Sequence, residues 1–253
     1  MSFELNFTKD NLGFYLKELS KIFRKLNGTK MPAEIILIGG AAILVNYGFR
    51  DMTNDIDAII HASSAMKEAI NFVGDKFQLP NGWLNTDFTR TKSYSDRLTQ
   101  VSVYFNTYSN ILSVRTIAAE YLIAMKLVSG RQYKNDLSDI AGVLWEHKKN
   151  GNPISYEMID NAVVELYGGW SDVSDRIRII LSEVFKSGDF EKLYNDTRKS
   201  EIESKKVLIE FEGKYPDALK NGDDVNSFLE NIHKTKSERK ENAEIFPAEN
   251  GKQ

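Results

Sequence analysis

Cysteine is absent from this 253-residue chain. Its absence excludes disulfides, thiolate metal sites and a cysteine nucleophile. No apolar run approaches the ~20 residues that a membrane helix needs. In the N-terminal segment Lys9, Asp10, Lys17, Glu18, Lys21, Arg24 and Lys25 interrupt every apolar run before it could form the core of a secretory signal. A cytoplasmic location, with no membrane as partner, is the expectation. Basic residues are not in excess either: the formal net charge is −3, so any nucleic-acid contact has to come from a local patch. The three histidines, His61, His147 and His233, are scattered and make no metal-ligand spacing. There is no Walker P-loop, no nucleophile elbow with Ser-His-Asp order, and no internal repeat.

Against these absences one stretch stands out. Ile35-Ile36-Leu37-Ile38 reads as an apolar strand, Gly39-Gly40 as a tight turn, and Ala41-Ala42-Ile43-Leu44 as the start of a short helix. A second strand, Ile56 to Ile60, then carries Asp55 at its entry and Asp57 one residue inside. Residues two apart on a strand point to the same face, so Asp55 and Asp57 converge. Two such carboxylates repel unless a cation sits between them, and Mg²⁺ (or Mn²⁺) is the oxygen-seeking cation that suits the pair. Glycines at a helix start let backbone N–H groups approach a phosphate closely, aided by the helix dipole.

The remaining elements are read from periodicity. Leu12, Tyr15, Leu16, Leu19, Ile22, Phe23 and Leu26 recur at helical spacing over 9–27, and Asn27-Gly28 ends that helix. A helix over 64–74 packs back on the sheet. The Pro-, Gly- and Asn-rich stretch 79–97 reads as a long loop with Trp83 and Leu84 tucked inward. Val101, Val103 and Phe105 alternate as a third strand, and an extended piece follows at 111–114. Helices over 116–130 and 135–148 are joined by the turn 131–134. They bring Lys126 and Arg131 toward Asp136 and Asp139, which lie one turn apart on the second helix. After Gly151-Asn152-Pro153, helical patterns run over 155–167, 171–186, 188–213 and 223–233, and the polar stretch 234–253 reads as a mobile tail.

The order strand, Gly-Gly turn, Asp-hydrophobic-Asp resembles the nucleotidyltransferase fold of the DNA polymerase beta superfamily. Within it the chain is most similar to the AbiEii-type toxins and their relatives. The likeness is carried further by Trp83-Leu84-Asn85, by Ala124-Met125-Lys126-Leu127, by Gly130-Arg131, and by Lys134-Asn135-Asp136-Leu137-Ser138-Asp139-Ile140. The resemblance implies an α+β (α/β) fold, a mixed sheet flanked by helices, over residues 1–150, followed by a helical region over 151–233.

It also implies a function. Asp55 and Asp57 would hold the metal, Gly39 and Gly40 the phosphates of a nucleoside triphosphate, and Lys126 and Arg131 would balance the triphosphate charge. The acceptor would be RNA, tRNA in particular, and the protein a toxin paired with an antitoxin. Many superfamily members place a third carboxylate on a strand beside the first pair, where this chain offers Ser102, so Asp139 or Asp136 is the expected substitute.

The same residues carry plainer readings. Lys126 can snorkel from a core helix, Asp136 can serve the helix dipole, and Arg131 can satisfy a helix C-terminus. Two further functions therefore stay open: a nucleotidyltransferase acting on a small hydroxyl compound such as an antibiotic, and a fold of this type that has lost catalysis and serves as a binding module.

Overall fold

A computed structural model of the chain describes residues 6–29, 31–131, 135–216, 218–219, 224–225, 227–229 and 231–232. The expected helix over 223–233 lies only partly among them. Residues 132–134 of the expected turn, His233 and the expected tail over 234–253 lie outside them.

Helix α1 (Lys9–Asn27) starts at Thr8, whose hydroxyl accepts the Asn11 N–H while the Asn11 side chain answers from the other direction, a reciprocal cap. Leu12, Leu16, Leu19 and Phe23 are fully buried along one face, as the periodicity requires. Strand β1 (Ala33–Leu37) is nearly continuous in its burial, the signature of a central strand. It runs antiparallel to β2 (Ile56–His61) on one side and parallel to β5 (Leu112–Ile117) on the other. The sheet order is β3-β2-β1-β5-β4, with β3 (Leu84–Asn85) parallel to β2 and β4 (Ser102–Tyr108) antiparallel to β5. Helix α2 (Gly39–Asn46) follows β1 directly, and α3 (Ala65–Phe77) packs beside α1.

Two sequence expectations shift. The stretch 79–97 is not all loop: Leu84–Asn85 adds a fifth strand, and two single-turn 3₁₀ helices follow. Trp83 and Leu84 are buried, with the Trp83 indole N–H on the Ile70 carbonyl at 3.1 Å. The strand expected at 111–114 runs on to Ile117, and α4 (Ala119–Ser129) starts later than the pattern suggested. Arg115, Thr116 and Ile117 are held extended by partners on β1 and β4, so tertiary pairing overrides local helical spacing.

Helix α5 (Asp136–Lys149) packs on α4, and three further helices follow: α6 (Tyr156–Tyr167), α7 (Asp175–Ser187) and α8 (Phe190–Lys214). Serine caps begin α6 and α7, at Ser155 and Ser174. Helix α6 packs on α4 and α8 on α5. One apolar core continues from Phe7 through the sheet and helices to Phe190. Among the described residues no helix is long and apolar enough to cross a membrane.

Candidate active site

The β1–α2 turn and the entry of β2 meet at one point. Ile38, the residue before the glycines, donates its N–H to the Asp57 carbonyl at 2.9 Å, so the second carboxylate is stitched beside the turn. Thr53 holds the first, donating its hydroxyl to the Asp55 carbonyl at 3.2 Å. Asp55 is exposed and Asp57 half-buried. Each glycine has its own reason. Gly39 has φ +55°, a left-handed conformation that favours glycine. At Gly40 a Cβ would stand 2.6 Å from the Thr53 hydroxyl and 2.9 Å from the Arg50 guanidinium. Ile38 supplies no side-chain acceptor to the first turn of α2, whose leading N–H groups have no partner within the helix.

Gly39, Gly40, Asp55, Asp57, Lys126, Arg131 and Asp136 line one cleft of about 810 Å³. Asp139 does not line it but lies directly behind. Lys126 Nζ is 2.7 Å from Asp136 and 2.9 Å from Asp139. Arg131 Nε reaches Asp136 at 3.0 Å, and Arg50 reaches Asp139 at 2.6 Å. Three cations and two carboxylates thus form a continuous chain, with one positive charge in excess, along the wall of the cleft. Burial pushes the Asp136 carboxyl upward, but Lys126 and Arg131 outweigh it and hold that group well below the usual carboxylate range. Burial pulls the Lys126 ammonium down, and Asp136 with Asp139 more than restores it.

This network answers where the sequence-predicted residues go. Asp136 and Asp139 were the candidates for a third metal-binding carboxylate; their charges are met by Lys126, Arg131 and Arg50. Among the described residues no three His, Asp or Glu side chains gather closely enough to hold one ion. Ser102 is not beside the Asp pair at all. It sits on the edge strand β4, with β5 and β1 between it and β2, and its hydroxyl donates to Thr99 and accepts from Arg115. The strand on the other side of β1 from β2 is β5, whose Ser113, Arg115 and Thr116 include no carboxylate. His61 is exposed at the far end of β2, and His147 faces the Tyr47 hydroxyl at 3.2 Å.

Two residues of the site escaped the sequence reading. Arg50 is the sole Lys or Arg between Gly40 and Asp55, and that isolation was its available signal. The loop carrying it is docked by Phe49, whose ring occupies the space over Gly142 and whose carbonyl accepts from Tyr194 of α8 at 3.2 Å. Glu201, in the middle of α8, gave no signal. It lines the cleft and accepts the Ser138 N–H at 3.0 Å, capping α5 where its own Asn135 makes no side-chain cap. Burial pushes the Glu201 carboxyl up to about 7, against the pull of the Ser138 hydrogen bonds.

Residues 15–148 match the family described as nucleotidyltransferase of unknown function (DUF6036). That is more than half of the chain, and the chain belongs to this family. The match supports the nucleotidyltransferase resemblance at that level and does not extend to the AbiEii type. No curated protein and no solved structure matches the chain.

Proposed function

We propose that this member of a nucleotidyltransferase family moves a nucleoside monophosphate from a nucleoside triphosphate to an acceptor hydroxyl in a metal-dependent reaction. The observation that carries the reading is the meeting, in one cleft, of the Asp55/Asp57 pair, the Gly39-Gly40 turn and the cationic chain of Arg50, Lys126 and Arg131. The Asp55/Asp57 pair suits Mg²⁺, which is usually held by one or two carboxylates with substrate phosphates and water completing its shell. When bound by Asp55 and Asp57, the ion would neutralise charge on the phosphates.

The chain's own groups do the rest. The N–H groups at the start of α2 and the guanidinium of Arg131 take phosphate oxygens. Asp136 aims that guanidinium, accepting both the backbone N–H and Nε of Arg131. The acceptor oxygen forms a bond to the α-phosphorus as the bond to pyrophosphate breaks, a step governed by positioning and charge stabilisation. Arg50 and Lys126 add the excess positive charge behind the turn.

The likeness of the segment from Ala124 to Ile140 to AbiEii-type toxins points to RNA, tRNA in particular, as acceptor and to a toxin role with an antitoxin partner, and Lys92 and Arg176 on the cleft wall suit a phosphate backbone. A small hydroxyl compound is the second reading, favoured by Asp172 and Asp196 on the same wall, which repel a polyanion. On either reading α7 and α8, which contribute Arg176, Ile177, Asp196 and Glu201 to the cleft wall, form the acceptor side. The test incubates the chain with each labelled nucleoside triphosphate, Mg²⁺ and either total bacterial RNA or a low-mass metabolite extract. Label should enter one acceptor pool, and Asp57→Asn should abolish incorporation with the fold intact. Undiminished transfer by Asp57→Asn would remove the metal assignment.

A further inference from the structure

Helix α8 turns a polar face inward. Its buried residues after Phe190 are Thr197, Glu201 and Ser204, which share one side of the helix, and all three line the cleft. A helix that only had to dock would bury an apolar stripe here. Docking is instead provided nearby by Tyr194, whose ring packs on Phe49 and Trp145. Glu201 is 8% exposed. Its Oε1 is fixed by the Ser138 N–H at 3.0 Å, while Oε2 is buried with no hydrogen-bond partner. A buried carboxylate oxygen without a donor is costly, and its place in the cleft wall matches it to a donor that arrives with a ligand.

The chemistry of that donor follows from charge. A carboxylate oxygen only accepts, and an ionised phosphate has no donor to offer it; with Asp196 on the same wall, an uncharged hydroxyl or amino group is favoured at this position. We propose that Glu201 is the hydrogen-bond acceptor of a substrate subsite on α8, engaging a hydroxyl or amino donor from the nucleoside end of the triphosphate or from the acceptor. The inference rests on the nucleotidyltransferase reading of the cleft. Burial, opposed by Ser138 and Arg198 and reinforced by Asp139, brings Glu201 up to about 7. Asp139 is itself held by Arg50 and Lys126. The subsite therefore strengthens as pH rises through neutrality.

Glu201→Gln is the discriminating variant. The Ser138 N–H keeps the amide oxygen on its own side, so the NH₂ stands where Oε2 was and an acceptor becomes a donor at constant shape. Calorimetry of the full chain with Mg²⁺ and nonhydrolysable analogues of ATP, GTP, CTP and UTP reads the nucleoside arm. The KM for total bacterial RNA in the transfer assay reads the acceptor arm. A loss of about tenfold or more in one arm is expected, as for a hydrogen bond to a charged group, and the affected arm identifies the source of the donor.

In the wild type the same quantity should improve from about pH 6 to about pH 8, a measurement that needs no variant should Glu201→Gln fail to fold. Unchanged affinity for all four analogues, together with an unchanged RNA KM or no RNA transfer, overturns the subsite, as does wild-type binding that ignores pH. If Asp57→Asn leaves binding and transfer intact while Glu201→Gln weakens either, the metal-dependent reading fails and the subsite survives. The reverse pattern sinks the subsite alone.

Discussion

Replacing Lys126 by methionine tests whether the buried ion-pair chain holds the fold together. Methionine keeps most of the stem and removes the charge, taking away the cation 2.7 Å from Asp136 and 2.9 Å from Asp139. Breaking a buried pair typically costs ~3–5 kcal/mol because a charge is left uncompensated. Here each carboxylate keeps a guanidinium, Arg131 on Asp136 and Arg50 on Asp139, so the lower end, ~3 kcal/mol, is expected. That is a large fraction of the ~5–15 kcal/mol by which domains are stable. Urea unfolding at neutral pH, extrapolated to water, reads it directly.

A second signature lies in acid. In the wild type Asp136 titrates below its unfolded value of ~3.9 because Lys126 and Arg131 outweigh its burial. Its contribution is therefore present above that value and lost as pH falls through the lower folded one. Without Lys126 the acid-unfolding midpoint should move to higher pH. Lys126→Met/Asp139→Asn, which removes one of the two carboxylate charges left facing each other, should recover part of the loss. A single variant within ~0.5 kcal/mol of wild type, the usual range of a surface substitution, would refute the reasoning. So would a double variant no more stable than the single.

Gly40→Ala places a Cβ 2.6 Å from the Thr53 hydroxyl and 2.9 Å from Arg50. It should cost ~1–3 kcal/mol and weaken nucleotide binding by displacing Arg50 from Asp139; an unchanged melting temperature with full calorimetric affinity contradicts this. Glu201, raised to about 7, contributes stability that is fully present below its unfolded value of ~4.3 and lost as pH rises through the folded one. At ~1.4 kcal/mol per unit this amounts to up to ~4 kcal/mol. Unfolding free energy should fall from about pH 5 to about pH 8 in the wild type and much less in Glu201→Gln; parallel profiles would reject the assignment.

Much of the architecture could be read in the chain because it is written in local periodicity. The stripe of α1, the apolar run of β1 and the Asp55/Asp57 spacing each follow from 3.6- and 2-residue repeats that hold wherever the element goes. The glycine pair was visible for the same reason, since a strand-to-helix turn leaves few other choices. The fifth strand was hidden because two residues, Leu84 and Asn85, have no period to show and are extended only through their pairing with β2. Likewise Arg115 to Ile117 belong to a strand through their neighbours, against their own spacing.

The site divides along the same line. The sequence by itself determined that Asp55 and Asp57 bracket the start of a strand close to a glycine turn, and that Lys126, Asp136 and Asp139 lie on consecutive helices. Whether those charges face a substrate or one another was decided by how α4, α5 and the loop 47–50 pack. Two carboxylates taken out of water must be met by cations, and Lys126, Arg131 and Arg50 are within reach. Glu201 is the extreme case: one acid among many on an amphipathic helix, given its unusual proton affinity and its unpartnered oxygen only by the burial that α5 and α8 create together. Periodicity fixes which face a residue occupies, whereas desolvation and charge pairing depend on what the finished fold brings against that face.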